Sequence, residues 1–411
     1  MPEPLLLPEV ATAPRREKRA LSGRNGHGAR TLRFTKLYAE NWRNFTKIEV
    51  DLQRRVFLVG PNASGKSNLL DIFRFLHDIA VVGGGFQHAV QEQRGGVSRL
   101  RCLAARRYSD VAVRVDIGRE GQEAEWEYEL RFNQDNLQRP ILRSESVKHR
   151  GSELFKRPLP EDVADPARLT QTFLEQVNAN KDFRDVVDFL ATVRYLHVVP
   201  QLVREPDRSV GKKNDPFGGD FLEQIGRTPE KTKTARLRRI SEALSFAVPQ
   251  LKELALHKDT RGVPHLRGKY EHWRPAGAWQ SEVEFSDGTL RLMGLLWSLL
   301  DGSGPLLLEE PELSLHQEII RFIPQLFARV QSRTGRQVIV STHSADLLRD
   351  EGIGTDEVLL LTPTDEGTSV KPVNEFEGVD ALLDSGLSLP EAILPRTRPK
   401  RASQLTLFGE D

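Results

Sequence analysis

The stretch Gly60-Pro61-Asn62-Ala63-Ser64-Gly65-Lys66-Ser67 decides the expected fold. It matches the P-loop pattern G-x-x-x-x-G-K-S/T without a gap. The apolar run 56–59 precedes it as a predicted strand, and a helical pattern follows from Lys66 to about Ile79. In this setting the glycines let backbone amides converge on phosphates at a helix N-terminus. A chance glycine-rich turn is the alternative, but the flanking strand and helix favour the P-loop.

The P-loop pattern predicts a site for ATP and Mg²⁺. Lys66 is expected to reach the β- and γ-phosphates, and the Ser67 hydroxyl is expected to bind Mg²⁺. The predicted nucleotide-binding residues of this stretch are Gly60, Pro61, Asn62, Ala63, Ser64, Gly65, Lys66, Ser67 and Asn68.

A second phosphate-handling element is the apolar run 306–308, which ends in Glu309-Glu310. An interior strand places its carboxyl end at the ligand crevice of an open α/β sheet. Glu309 is therefore expected to hold Mg²⁺ through water, and Glu310 to activate the attacking water. Two carboxylates before a helix also occur as a solvated cap, because acids favour helix N-termini. The presence of a P-loop favours the metal and catalytic roles.

Two shorter elements complete a recognisable order. Ser341-Thr342-His343-Ser344 follows the apolar run 338–340, and a histidine at a strand end can hydrogen-bond a γ-phosphate, although a lone histidine is more often structural. Ser286-Asp287-Gly288 opens a predicted helix that ends near Leu300, and such a start forms an anion site or an ordinary N-cap. The order of P-loop, long gap, Ser-x-Gly, acidic strand and histidine is that of ABC-type ATPases.

The sequence resembles the RecF/SMC/ABC group of ATPases, specifically its compact bacterial branch without coiled-coil arms. The stretches that carry the resemblance are Asn44-Phe45, GPNASGKSNLLD (60–71), FSDGTLRLMGLLWSLL (285–300), LLLEEPELSLHQ (306–317) and VIVSTHSADLL (338–348). The resemblance covers about residues 31–375. It implies an α/β fold, a P-loop ABC/SMC-head-like ATPase with an N-terminal β-rich lobe and a helical insertion.

The resemblance also implies that the chain works as an ATP-dependent homodimer. Two heads would sandwich two ATP molecules, with the P-loop of one facing the signature residues Ser286 and Gly288 of the other. Glu310 and His343 are the implied catalytic residues, and Ser67 and Glu309 the metal-binding ones.

Further positions follow from the same resemblance. Ser314, Leu315 and His316 take the D-loop position at the dimer seam. Either Arg43 or Asn44 is expected near the nucleotide. A Q-loop glutamine is also expected, and the choice among Gln87, Gln91 and Gln93 stays open.

The sequence departs from the family pattern at two positions. The acidic strand ends Glu309-Glu310 where Asp-Glu is usual, so one extra methylene moves the metal-facing carboxylate, which is expected to slow hydrolysis without abolishing it. The signature has Asp287 where glycine is usual. Neither change is expected to prevent ATP binding.

The composition restricts the class of protein. The 411 residues contain 59 Lys and Arg against 58 Asp and Glu, 38% hydrophobic residues and a single cysteine, Cys102. These values exclude a wholly disordered chain, a disulfide framework and a Cys-rich zinc site. The longest aliphatic stretch, 292–300, is about half the length that a membrane-spanning helix needs. The run Leu5-Leu6-Leu7 has no basic residue before it, so we do not expect it to be part of a signal peptide. We expect no membrane partner and a cytoplasmic location, and the net charge of +1 means that nucleic-acid binding needs a local patch.

Composition and periodicity divide the chain into five segments. They are a disordered basic tail (1–30), an N-terminal ATPase half with the P-loop (31–106), an insertion of strands and helices (107–275), a C-terminal ATPase half (276–385) and a flexible tail (386–411).

Periodicity also predicts the elements within these segments. A hairpin over 32–52 and strands over 111–117, 126–132 and 193–199 are expected, with mostly helix over 160–260. Leu237, Ile240, Leu244, Ala247, Leu251 and Leu254 predict one helix, kinked or split at Pro249. The last third is expected to alternate a strand at 283–285, a helix to Leu300, a strand at 306–308, a helix over 315–330 and a strand at 338–340, forming a parallel sheet.

The ATPase motifs do not identify the biological role. The leading hypothesis is the sensor ATPase of a bacterial anti-phage or toxin-like system, in which a co-encoded effector protein acts. The first alternative is a RecF-like DNA repair or replication ATPase that binds DNA and is recruited by the sliding clamp. It rests on Gln404, Leu405, Leu407 and Phe408, although an apolar tail strand that packs on its own domain, or coincidence, is the favoured explanation of these residues. The second alternative is an ATP-gated scaffold with little turnover.

Overall fold

The computed structural model describes residues 31–105, 110–209, 215–273 and 278–397. The strands in these ranges are β1 (Arg33–Trp42), β2 (Phe45–Asp51), β3 (Arg55–Val59), β4 (Val111–Gly118), β5 (Ala124–Gln134), β6 (Pro140–His149), β7 (Ser152–Arg157), β8 (Arg194–Leu196), β9 (Leu251–Lys258), β10 (Pro264–Tyr270), β11 (Ala278–Ser281), β12 (Leu306–Glu309), β13 (Val338–Thr342), β14 (Val358–Thr364) and β15 (Gly367–Pro372).

Helices alternate with these strands, so the mixed α/β class is confirmed. The α-helices in the described ranges are α1 (Lys66–Ala80), α2 (Val97–Leu100), α3 (Pro160–Ala164), α4 (Arg184–Ala191), α5 (Pro200–Val203), α6 (Phe221–Arg227), α7 (Glu230–Leu244), α8 (Asp287–Leu300), α9 (Gln317–Ile320), α10 (Ile323–Thr334), α11 (Ala345–Leu348), α12 (Val379–Asp384) and α13 (Leu389–Ile393). None of them is long and apolar enough to cross a membrane, as far as the described residues extend.

The first sheet is antiparallel and has the order β2-β1-β4-β5-β6-β7. The predicted hairpin over 32–52 is confirmed, with Trp42 opposite Phe45 next to its turn. The predicted strands at 111–117 and 126–132 are β4 and β5, and β4 also pairs with β1. Four strands of the predicted segment 107–275 therefore continue the sheet that the N-terminal hairpin begins.

The second sheet carries the P-loop and has the order β15-β14-β3-β13-β12-β8. All neighbouring pairs are parallel except β14 and β15. The predicted strands at 56–59, 306–308 and 338–340 lie in its centre as β3, β12 and β13. Their near-continuous apolar sequences match strands that are covered on both faces.

Two hydrophobic cores lie on opposite faces of this sheet. Successive side chains of β3 alternate between them: Val56 and Leu58 belong to the first core, and Phe57 and Val59 to the second. The first core also contains the buried face of α1 and the inner face of the first sheet. The second contains α8, α10 and the three-stranded sheet β11-β10-β9.

The helix predicted through Leu254 is wrong beyond Leu244. Helix α7 ends at Leu244, and Leu251 begins β9. Leu251 and Leu254 are both buried in this strand. Their spacing of three residues also occurs on the buried face of a helix, which is why the sequence pattern predicted a helix here. Pro249, which lacks an N–H, lies in the turn between the helix and the strand.

Three other predictions in the last third need correction. Residues 283–285 form a turn, in which Glu284 N donates to Ser281 O at 3.0 Å, and the strand lies earlier as β11. The helix over 315–330 is divided into α9 and α10, because Pro324 stands at the start of α10, where a missing N–H costs least. The packed chain continues past Ser385, since Ile393 of α13 is fully buried.

Candidate active site

The P-loop connects the end of β3 to the start of α1. Gly65 at the N-cap has φ +96°, a backbone conformation that favours glycine, and Ala63 has φ +62°. The Lys66 ammonium folds back over the loop and donates to the carbonyls of Gly60 and Pro61, each at 3.1 Å. Burial lowers the pKa of Lys66, while the charges of Glu310 and Glu309 act in the opposite direction. The loop therefore presents a cation and a helix N-terminus where the sequence predicts phosphates.

Asn44 links the P-loop to β15 and α1 through hydrogen bonds of its side chain. Its Nδ2 donates to Ser64 O at 2.9 Å and to Thr368 Oγ1 at 2.7 Å, and its Oδ1 accepts from Asn68 Nδ2 at 2.8 Å. A Cβ on Gly65 would lie 2.2 Å from Asn44 Nδ2. Of the two residues predicted near the nucleotide, Asn44 therefore contacts the P-loop directly.

Arg43, the other residue predicted near the nucleotide, points to α1 instead. Its Nη2 lies 3.3 Å from Asp71 Oδ2, and Asp71 also accepts from the buried Arg94 at 2.8 Å. This contact fixes the hairpin turn against the helix that follows the P-loop.

Ser67 and Glu309, the predicted metal-binding pair, contact each other. Ser67 Oγ donates to Glu309 Oε1, and Tyr195 OH donates to Glu309 Oε2. Burial, with the nearby charge of Glu309, raises the pKa of Tyr195, so its hydroxyl stays a donor. Both oxygens of the longer glutamate are therefore engaged, one from the P-loop side and one from β8.

Glu310 and His343, the predicted catalytic pair, also lie in contact. His343 Nε2 is 3.0 Å from Glu310 Oε1, and this hydrogen bond is the main cause that lowers the pKa of Glu310. Glu310 has φ +43°, a sparsely populated region for a non-glycine residue, and its N–H donates to Ser341 O at 3.0 Å. The carboxylate is therefore ionised near neutral pH and held at the strand end.

The sequence pattern does not predict the role of a third glutamate, Glu312. It is 6% exposed, and its Oε1 accepts from Thr342 Oγ1 and from His343 N at 3.2 Å. Burial raises its pKa. This side chain ties the segment after β12 to the end of β13 and so orients His343.

The signature residues open α8. Ser286 Oγ accepts from Thr289 N at 3.2 Å, and Asp287 Oδ1 accepts from Arg204 Nη2 at 2.6 Å. A Cβ on Gly288 would lie 2.4 Å from Ser314 O, so the signature packs against the predicted D-loop position in the same chain. Ser286, Ser314 and His316 are exposed, and Leu315 packs against the second core.

The three candidate Q-loop glutamines are engaged in different ways. Gln87 Nε2 donates to the carbonyls of Pro140 and Thr170, both at 2.8 Å, and Gln91 Nε2 donates to Gln138 O at 2.7 Å. Gln93 Nε2 lies 3.0 Å from His88 Nε2.

The residues present fit ATP and Mg²⁺. Hydroxyl and carboxylate oxygens are the ligands that Mg²⁺ prefers, and it usually takes one or two protein groups together with substrate phosphates. Ser67 and Glu309 supply that number. Among the described residues, no cluster of three or more His, Cys, Asp or Glu side chains could hold a metal without a substrate. The predicted clamp-binding residues 404–408 lie outside the described residues.

Comparison with known proteins places these motifs in one family. The family described as "AAA domain, putative AbiEii toxin, Type IV TA system" matches residues 55–350. The DNA replication and repair protein RecF of Synechocystis sp. is 29% identical over 107 residues. That match covers 26% of this chain and 27% of RecF, so the chain spans about a quarter of the length of this relative.

Solved structures of SMC heads are also similar to this chain. The SMC head domain from Thermotoga maritima has a TM-score of 0.43 at 15% identity, covering 83% of this chain and 99% of that one. The Smc head domain with an extended coiled coil bound to the C-terminal domain of ScpA, derived from Pyrococcus furiosus, has a TM-score of 0.49 at 11% identity, covering 87% and 100%.

Proposed function

We propose that this chain, which belongs to the AbiEii-type AAA-domain family, binds ATP with Mg²⁺ and hydrolyses it to ADP and phosphate. Within that family it is a compact ATPase head of the RecF/SMC/ABC group. One observation carries the proposal. Ser67 contacts Glu309, and Glu310 contacts His343, at the carboxyl ends of the adjacent strands β3, β13 and β12. Three distant stretches of sequence thus supply a phosphate loop, a metal-binding pair and a base in one place.

In this proposal each side chain has one task. Lys66 moves from the loop carbonyls to the β- and γ-phosphates, and the amides at the start of α1 hold the phosphate oxygens. Mg²⁺, held by Ser67 and Glu309, would neutralise charge on the phosphates. Glu310 accepts a proton from the attacking water, since its carboxylate is already ionised. His343, which contacts Glu310 in the single chain, turns and donates a hydrogen bond to the γ-phosphate.

We further propose that two heads enclose the nucleotides. In the signature surface (Ser286, Gly288 and Ser314), the two serines are exposed in the single chain and Gly288 is half-buried, and Asn62 and Ala63 of the P-loop are exposed. One head offers only one side of a phosphate cage, so a second copy would supply the signature helix N-terminus to the opposite side.

The test is the variant Glu310→Gln. Loss of the base should slow hydrolysis while ATP binding persists, so light scattering with saturating Mg-ATP should show a doubled mass. Adding Lys66→Ala should restore the monomer, because the phosphates lose their cation. A Glu310→Gln protein that stays monomeric with ATP would refute the sandwich, and full ATPase activity of Lys66→Ala would refute the P-loop assignment.

For the biological role, we propose a sensor ATPase in a bacterial toxin-like or anti-phage system that acts with a co-encoded effector. The family description, which names a toxin of a Type IV toxin–antitoxin system, supports this role. The similarity to RecF supports the second candidate, a DNA repair ATPase. DNA-stimulated phosphate release would favour repair, and stimulation by a co-encoded protein would favour defence. Turnover near zero under both conditions would favour an ATP-gated scaffold.

A direct experiment identifies the partner. Glu310→Gln protein purified from its host by affinity should retain the ATP-bound state and whatever binds it. Mass spectrometry and nucleic-acid sequencing of the bound material then separate an effector protein from DNA. A peptide of residues 396–411 that fails to bind the host sliding clamp would remove the recruitment hypothesis.

A further inference from the structure

A cavity of about 730 Å³ lies beside the edge strand β8. Its wall is formed by the second half of α1, residues 81–84, β8, α5, α6 and the end of α8. Cavities of about 300–1,000 Å³ are the size that small-molecule sites use. Residues 60–67 do not line it, so it is separate from the P-loop site.

Three arginines, Arg74, Arg194 and Arg336, line this cavity together with three aspartates. His77 also lines it, and burial lowers its pKa, so it adds no charge at neutral pH. Arg336 is 1% exposed, and its guanidinium donates to main-chain carbonyls, those of Gly304 and Asp301 both at 2.6 Å. Burial lowers the pKa of Arg336 to about 10, which leaves it protonated at neutral pH. A buried cation balanced mainly by carbonyls favours an anion nearby.

The carboxylates of the wall are already engaged. Asp78 accepts from Arg94 at 2.9 Å, and Asp301 accepts from Arg236 at 2.7 Å. Asp215 accepts from the main-chain amide two residues later, at 2.9 Å. Because two of these three acids pair with arginines outside the wall, they oppose the charge of the three wall arginines less than free carboxylates would.

Two aromatic side chains stand in the same wall. Phe217 is 45% exposed, and Tyr195 has the Arg74 guanidinium 5.5 Å from its ring centroid. Arginines beside an exposed ring are the groups that bind a phosphate and stack on a planar base. We propose that this cavity binds a nucleotide-sized anion, whose phosphate contacts the arginines and whose planar ring stacks on Phe217.

Tyr195 connects the cavity to the predicted metal site. Its ring lines the cavity, and its hydroxyl donates to Glu309, which in turn accepts from Ser67. A ligand that shifts Tyr195 therefore changes how Glu309 is held. This consequence rests on the proposed function, whereas ligand binding in the cavity does not.

The test uses AMP, with adenosine and inorganic phosphate as separate probes, in calorimetric titrations of the full chain. AMP should bind once per chain. Phe217→Ala and Arg74→Gln should each weaken it about tenfold, the usual effect of losing one stacked ring or one charged contact. Adenosine and phosphate should each bind more weakly than AMP, because each lacks one half of the contacts.

Control variants separate this site from the P-loop. Lys66→Ala should leave AMP affinity unchanged, and so should Phe246→Ala, which removes a phenylalanine that is 89% exposed elsewhere. Unchanged thermal unfolding of the Phe217 and Arg74 variants would show that they fold. No saturable AMP binding at millimolar concentration, or loss of binding in Lys66→Ala alone, would overturn the cavity site. Phosphate binding as tightly as AMP would overturn the stacked ring.

Discussion

The Nε2 atom of His343 lies 3.0 Å from Oε1 of Glu310, so the histidine predicted to contact the γ-phosphate holds the predicted catalytic base. Both residues follow central strands, Glu310 after β12 and His343 after β13. In the proposed mechanism the histidine turns to the γ-phosphate and frees the carboxylate for the attacking water. The proposal therefore makes the base dependent on the state of the nucleotide.

His343→Ala should shift the pH dependence of turnover. The hydrogen bond from the histidine is the main cause that lowers the pKa of Glu310, so its removal raises that pKa. Since a base must be ionised to accept a proton, the acidic limb of the kcat/KM profile, which reports the free enzyme in which the contact exists, should move to higher pH, in addition to a lower maximum. His257→Ala, a change at an exposed histidine on β9, is the matched control. An acidic limb at the same pH in both variants would contradict the role of the contact.

Tyr195→Phe should weaken the metal site. Without the hydroxyl, one oxygen of Glu309 loses its donor, and groups that orient a metal ligand typically contribute tenfold or more to metal affinity. The Mg²⁺ concentration for half-maximal ATP turnover should rise roughly tenfold. The metal dependence of fluorescent-nucleotide binding gives a second readout without turnover. Tyr270→Phe on β10 should change neither value, and equal behaviour of the two variants would show that Tyr195 does not position Glu309.

Gly65→Ala should disrupt the P-loop through both conformation and space. A φ of +96° costs an alanine about 1–2 kcal/mol, and the added Cβ would meet the Asn44 side chain. Gly121→Ala isolates the first effect, because Gly121 has φ +70° and nothing within 4 Å of its Cβ position. The midpoint temperature of thermal unfolding should therefore fall further for Gly65→Ala than for Gly121→Ala. Equal losses would mean that the Asn44 contact is unimportant.

Gly288→Ala should interfere with association in the Glu310→Gln background. The new Cβ would meet the Ser314 carbonyl at 2.4 Å, and overpacking of this kind costs about 1–3 kcal/mol. The protein concentration for half-maximal dimer should rise roughly tenfold, measured by light scattering with Mg-ATP. Gly226→Ala in α6, where the nearest atom is 3.5 Å away, is the control. An unaffected dimer in Gly288→Ala would place the seam elsewhere.

The sequence predicted the parts of the site that lie in continuous motifs. Glu309 ends β12, and Glu310 and His343 directly follow β12 and β13. Lys66 and Ser67 come after the loop that follows β3, and strand ends of one parallel sheet meet at one edge. Their convergence therefore follows from local pattern and sheet topology.

The residues that the sequence did not reveal depend on contacts between distant segments. Tyr195 reaches Glu309 only because β8 pairs with β12, and no local signal announces that pairing. Arg204 reaches Asp287 across more than eighty positions, and Glu312 is recognised only when its burial is seen. The same reason explains the wrong helix at 251–254, where a strand in a different sheet carried a helical spacing.

The position of β3 has a consequence for biosynthesis. Both of its neighbours, β13 and β14, come from the last quarter of the chain. Until residue 342 has left the ribosome, the strand before the P-loop has no partner on either side, and Phe57 and Val59 lack most of the second core, which comes from later residues. A nascent or truncated chain that ends before Val338 should therefore be unable to bind ATP, so the protein acquires its nucleotide only once translation is nearly complete.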